Sequence, residues 1–317
     1  MKTLRALAIL RHFSSAVRAK RLGAMSFLCI ALLPNTSQIV VQNDRVLEIR
    51  KISTAAPSQL EVIGVWPYGL CEASAIDTTR NIALIGNGET LQVLDISSPS
   101  ATSQIGEVRI EGSAQDIVLT GNYACLVTRN YFLIVDLTDP ENPRETASVF
   151  FPGQHFRSVR LSANGAYLAS EQGLFIYDVS NPYQPVFQAH YTHDNIDIFD
   201  VAVWGKYALC LGQFWKPPER QELIYCLEIV DISFPAAPVL VGTFDLGKDY
   251  VLREIEVSAA GNAYVCQSTE RREAGRLLII DISTDPVNPS EIGRYLKADK
   301  GLEGIALSGR YAYLLES

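Results

Sequence analysis

No apolar run among the 317 residues reaches the roughly 18–20 needed to carry a helix across a bilayer. Basic charge is scarce as well. Lys and Arg number 27 against 35 Asp and Glu, a formal net charge of −8. A nucleic-acid binder needs a basic stripe to neutralise phosphates, so that class is set aside. The six cysteines (Cys29, Cys71, Cys125, Cys210, Cys226, Cys266) form no CxxC pair and show no metal-type spacing. Without Cys29 the count is odd, so a full disulfide framework is not expected, although a single bridge stays open. Cys125, Cys210 and Cys266 lie in strand-like runs and are expected as buried thiols. Catalytic signatures are missing too: no G-x-S-x-G, no H-E-x-x-H, no Walker loop, no Rossmann glycine pattern and no sialidase-type Asp box.

What the chain does have is a repeat. The stretch Leu227–Pro238 (LEIVDISFPAAP) recurs as Leu91–Pro99, Phe132–Pro143, Leu174–Pro185 and Leu277–Pro289. Its aspartate falls at Asp95, Asp136, Asp178, Asp231 and Asp281. A self-similar period of this size fixes architecture before anything else is read. Residues 112–151 show the unit best. Gln115–Thr120 alternates and ends at Gly121-Asn122, a turn signal. Tyr123–Thr128 is a second strand, and Phe132–Leu137, apolar at nearly every position, reads as a third buried on both faces. Asp136 can bond the backbone of the following turn, Pro140 and Pro143 stop the ladder, and Arg144–Phe151 is the fourth strand. Four short strands with turn chemistry between them, repeated, are propeller blades.

The fold class expected is all-β: a six-bladed propeller of four-stranded blades over residues 38–317. Third strands number five after residue 90, and Arg45–Ser53 followed by Pro57 supplies another near the N-terminus. Strands at 45–66 are therefore expected to pair with strands at 302–315 and close the ring, because an open propeller leaves unpaired edges. Ile39–Gln42 competes with Tyr311–Leu315 for the same place. Residues 1–37 are different material, with six basic residues, no acidic one and the apolar stretch Met25–Leu33. Basic, then apolar, then small and polar is the layout of a secretory signal or short anchor.

The core LxIVDISxPxxP, preceded by Gly309–Leu314 (GRYAYL) or Gly121–Leu126 (GNYACL), resembles the LVIVD repeat. The resemblance covers roughly residues 40–317 in five clear copies. It implies a β-propeller and an exported or cell-surface location, as in bacterial and archaeal proteins built from such repeats. It implies no reaction, since the motif is the blade's own framework. This chain departs from the pattern in its N-terminal copy, where Arg50 or Lys51 stands for the Asp, and in two long insertions.

Those insertions suggest where a function sits. Gly212–Tyr225 and Ser268–Arg276 join second to third strands, and the entry loops Thr192–Phe199 and Leu246–Leu252 are long too. All four belong on one face of one sector, and loops on a rigid scaffold carry function. Phe214, Trp215, Arg220, Tyr250, Arg271 and Arg272 supply the aromatic-plus-arginine mixture of binding hot spots. The expected activity is a non-enzymatic binding or scaffold module with a protein or peptide partner; drifted surface loops are the plainer reading. The alternative is a metal-dependent hydrolase or lyase at the channel mouth. It would use Ca²⁺ or another divalent ion on His193, Asp194, Asp197 and Asp200, with His155 nearby, though EF-hand spacing is absent. The starts of the inner strands offer Gln115, Arg157, Arg253 and Glu303, with Asp116, Asp200 and Glu254 next along. Their expected role is structural pairing around the channel.

Overall fold

The computed structural model describes residues 73–215, 222–308 and 311–317, Pro99 by its backbone alone, and ahead of them only the backbones of six strands. Five four-stranded antiparallel meanders follow one another. Sheet one takes Ala73–Asp77, Ile82–Asn87, Thr90–Asp95 and Ser103–Arg109. Sheet two takes Ala114–Thr120, Tyr123–Thr128, Tyr131–Asp136 and Arg144–Phe150. Sheet three is Phe156–Ser162, Gly165–Ser170, Gly173–Asp178 and Val186–Tyr191. Sheet four is Asp197–Trp204, Tyr207–Trp215, Leu223–Asp231 and Val239–Asp245. Sheet five is Val251–Val257, Asn262–Ser268, Gly275–Asp281 and Ser290–Lys297. The pair Leu302–Ser308 and Tyr311–Glu316 comes last. Successive first strands run side by side, from sheet one to the final pair.

The repeated sequence explains the repeated shape. In every sheet the aspartate that ends the third strand accepts the N–H two residues on. Asp95 takes Ser97, Asp136 takes Thr138, Asp178 takes Ser180, Asp231 takes Ser233 and Asp281 takes Ser283, all at 2.7–2.8 Å. This side-chain turn bends the chain out of the ladder just before the prolines that cannot rejoin it. The bonds help stabilise the ionised form, and these carboxyls sit below their ordinary range, Asp281 at about 2 because the Thr284 and Ser283 hydroxyls donate to it as well.

A bulge in each third-to-fourth pair, at Ile105, Thr146, Gln188, Val241 and Ile292, opens the outer strand. The proline turn of the next sheet fills that opening. Thr146 Oγ1 donates to Pro182 O at 2.9 Å, and a Cβ at Gly106 or Gly242 would collide with the carbonyl oxygens of Pro140 and Pro286. Glycine at these two positions is thus a packing requirement. Between the sheets lie apolar clusters, each drawn mainly from two neighbours, such as Leu126, Leu133 and Leu137 with Leu84 and Leu91. The third strands are buried on both faces as expected, Phe132 through Val135 being inaccessible. Cys125, Cys210, Cys226 and Cys266 are buried free thiols, and burial pushes Cys125 up to about 12. Cys29 and Cys71 fall outside the fully described residues.

The ring closure expected between 45–66 and 302–315 is not shown. Val46–Ile52 and Leu60–Trp66 do pair as an outer hairpin, with the shared bulge at Ile63, and the hairpin lies against the Pro99–Ala101 turn of sheet one. On its other side, however, Val46–Ile52 pairs with Gln38–Asn43, from Gln38↔Lys51 to Asn43↔Val46. The strand Tyr311–Glu316 meets Arg5–Ala8 instead. The competitor Gln38–Asn43 stands two residues from Val46 in sequence, whereas Tyr311 must be brought back across almost the whole chain. A short loop closes at far less entropic cost.

Candidate binding face

The inner strands share a second bulge, near their start, where one extra residue enters at Gln115, Arg157, Phe199, Arg253 and Glu303. Bulges re-aim side chains. Here the residue after four of these bulges (Asp116, Ser158, Asp200 and Glu254) turns toward the neighbouring sheet and ties the two together. Asp116 accepts the N–H of Val159 (2.7 Å), Asp200 that of Ile255 (3.1 Å) and Glu254 that of Ile305 (2.9 Å). Ser158 Oγ donates to Asp200 at 2.5 Å. The inner-strand carboxylates expected to serve as structural partners are therefore inter-sheet braces, as are Arg253 and Glu303, whose charged groups lie 3.4 Å apart.

Glu254 carries an electrostatic cost for this placement. Burial, then the neighbouring Asp200 and Glu256, raise its carboxyl to about 8. An unfolded carboxyl titrates near 4.3, so between there and pH 8 the folded chain holds the extra proton. Stability from this group is complete below the unfolded value and falls as pH rises through the folded one. Glu254→Gln, which keeps an acceptor for Ile305, should raise the melting midpoint at pH 9 while leaving it nearly unchanged at pH 4.5. A midpoint difference constant over that range would refute the assignment.

The four enlarged loops do meet. Gln213 Nε2 donates to Asp197 at 3.1 Å, which joins the second-to-third hairpin of sheet four to its own entry loop. Lys248 pairs with Glu222 at 3.4 Å, carrying the contact to the entry of sheet five. Arg276 donates to Leu246 O (2.6 Å) and its guanidinium covers the Tyr250 ring at 4.5 Å, while Gln267 donates to Tyr250 O. Trp215 stands 51% exposed at the end of its strand. Phe214 is half-buried with its ring 6.2 Å from that of His193, and Arg271 is exposed. Arg272 is turned inward, 3.5 Å from Glu303. It therefore anchors its hairpin instead of joining the exposed set. Arg220 lies outside the described residues.

The residues considered for a metal are each committed elsewhere. His193 Nδ1 bonds Glu228 at 2.7 Å, and Asp194 approaches only the other His193 nitrogen, at 3.7 Å. Asp197 holds Arg157 and Gln213, and Asp200 braces sheets three and five. His155 bonds Glu171 at 2.6 Å. Among the described residues no group of three or more His, Cys, Asp or Glu is placed to hold a metal ion. The alternative site therefore does not assemble on these side chains.

One residue escaped the sequence reading. Glu228 is fully buried and accepts from both Tyr191 Oη (2.8 Å) and His193, pinning the sheet-four entry loop to its third strand. Burial raises its carboxyl, and the two donors partly offset this. The signal was available. Where Leu133, Phe175 and Leu278 fill the same place in the LxIVD run, sheet four alone carries a charge.

Comparison with known proteins decides the family. The LVIVD repeat model matches residues 73–109, 111–150, 153–193, 226–246 and 257–297, more than half of the chain. The chain belongs to the LVIVD repeat family. The matched segments fall on the five four-stranded sheets, although in sheet four the match begins only at Cys226 and in sheet five only at Val257, the end of the first strand. No curated protein matches. Among solved structures, the LVIVD-repeat chain is similar to the WD40 β-propeller domain of Doa1, with TM-score 0.63, 10% identity, and 100% of this chain and 97% of that one covered. The computationally designed Ika8 protein gives 0.62 at 9% identity, covering 99% and 100%. A protein from Lactobacillus plantarum gives 0.62 at 12% identity, covering 91% and 98%. At such identities the likeness speaks for the β-propeller fold alone.

Proposed function

We propose that this LVIVD-repeat propeller is a binding or scaffold module of the exported or cell-surface space, taking a protein or peptide partner on the rim built by residues 192–276. The observation that carries this reading is the bonding among the enlarged loops. Gln213–Asp197, Lys248–Glu222 and Arg276–Leu246 join the described parts of loops of two neighbouring sheets to one another. A surface already ordered loses little conformational entropy when a partner docks. At its edge Trp215 offers a large apolar face to solvent, the residue type that most often anchors a hot spot. The export reading rests on the basic-then-apolar layout of residues 1–37.

Peptides selected from a random displayed library on the immobilised wild-type chain test this directly. Trp215→Ala should weaken the selected peptides at least tenfold and leave the melting midpoint within a degree or two, since half of that side chain is already in water. Unchanged affinity would place the docking surface elsewhere. A large fall in stability would show that Trp215 belongs to the packing instead.

A further inference from the structure

Asp116, Asp200 and Glu254 brace their sheets through hydrogen bonds, whereas Arg253 and Glu303 do not bond one another. Their charged groups approach to 3.4 Å, yet Arg253 Nε and Glu303 Oε2 are both buried with no hydrogen-bond partner. The other oxygen of Glu303 accepts from Ser268 Oγ at 3.3 Å and has Arg272 at 3.5 Å. Two guanidiniums thus divide one carboxylate, and in this trio positive charge is in excess.

Arg253 keeps donors in reserve. A guanidinium holds five N–H groups in a planar fork, and the Glu303 contact is its one ion pair among the described residues. Its side chain is 13% exposed, so the tip of the fork reaches solvent although Nε does not. Burial lowers its pKa, Glu303 restores part of the loss, and the charge of Arg272 takes more away. A half-buried cation short of acceptors is costly until an anion supplies them.

The enlarged loops wall this place. Leu246 N donates to Tyr225 O at 2.9 Å, which sets the end of the sheet-four insertion against the entry of sheet five. The Tyr225 phenol is within electrostatic reach of Arg253. Arg272 O accepts from Gly301 N at 2.6 Å, which fixes the sheet-five hairpin to the entry of the final pair. The positive tip therefore lies within the 192–276 sector.

We infer that Arg253 is the anion-receiving point of the rim and that the partner docking there is an acidic peptide segment. A carboxylate of the peptide meets the outer edge of the Arg253 fork through two parallel N–H bonds, a geometry lysine does not offer. Arg272 adds a second positive charge from the hairpin beside it. The inference rests on the rim reading above and gives the partner its chemistry. The whole chain carries a net charge of −8, which repels acidic peptides, so one that binds is held by a local site.

Fluorescence anisotropy with labelled tetraglutamate and tetraglutamine on the full-length chain makes the test. Tetraglutamate should bind at least tenfold more tightly, and added salt should weaken it. Arg253→Gln should remove the preference, whereas Arg109→Gln, at an exposed arginine of sheet one, should leave it intact. Arg253→Lys, which keeps a cation beside Glu303, should still lose at least threefold. Equal affinity for the two peptides, or a preference kept in full by both Arg253 variants, would overturn the inference. Trp215→Ala scores the rim separately. Library peptides that need Trp215, with no tetraglutamate preference, would keep the rim and remove the acidic partner. Library peptides that ignore Trp215, with tetraglutamate still dependent on Arg253, would remove the rim and keep the carboxylate site.

Discussion

Ile229→Asp should abolish the cooperative unfolding transition. Ile229 has no exposed surface and sits mid-way along the third strand of sheet four, opposite Leu209 and Gly242. It packs in the cluster that also holds Leu211, Leu252, Ile255 and Val265, so it serves sheets four and five together. Losing its apolar burial costs about 1.5–3 kcal/mol. The aspartate adds the penalty of a buried charge with no partner, several kcal/mol more, unless it takes up a proton. Set against the roughly 5–15 kcal/mol that holds a typical domain together, the sum is enough to open the sheet. Ile229→Val, which removes one methylene, should cost only about 0.5–1.5 kcal/mol. Urea titrations of both variants followed by circular dichroism make the comparison. A wild-type midpoint for the aspartate variant would mean that the side chain is not in the core.

This asymmetry between core and rim also explains what could be read in advance. The sheets announce themselves because their signals are local: an aspartate that caps its own turn, prolines a few residues later, and an apolar run just before. Asp95, Asp136, Asp178, Asp231 and Asp281 each make their decisive bond within two residues, so the sequence pattern is the structure. The pairing of residues 45–66 is not local. Two candidate strands fit the same edge, and periodicity contains nothing about the loop entropy that separates them. The rim was legible as loop lengths and as residue types, but the direction of each side chain was not. Arg272 bends back to Glu303 because its backbone takes a left-handed turn at φ 60, while Arg271 beside it faces solvent. The described side chains of the suggested metal site are not brought together as ligands, for a related reason. His193 turns to Glu228 and Asp197 to Arg157 and Gln213, while the bulge at Phe199 sends Asp200 toward the neighbouring sheets.

The inter-sheet braces set the second large effect. Asp200→Ala should destabilise the protein by roughly 3 kcal/mol or more, although no apolar packing is lost. Asp200 is fully buried and accepts from three described donors on three sheets: Ser158 Oγ, Val201 N and Ile255 N. Alanine takes this acceptor from the buried Val201 and Ile255 amides and from Ser158, and each buried donor left unpaired costs about 1–3 kcal/mol. One term opposes the loss. Asp200 is a cause of the raised carboxyl of Glu254, so its removal eases the ionisation of that group. That relief exists only where Glu254 is being ionised, so the variant should lose less stability at pH 9 than at pH 5. Asp200→Asn retains one acceptor oxygen but presents an amide donor where the other stood, and should fall between alanine and wild type. Hydrogen exchange locates the damage. The Ile255 amide should exchange much faster in Asp200→Ala, while the Val159 amide, held by Asp116, keeps its protection. Uniform loss of protection over both amides would show that the braces act as one network, and no loss at either would show that they carry no stability.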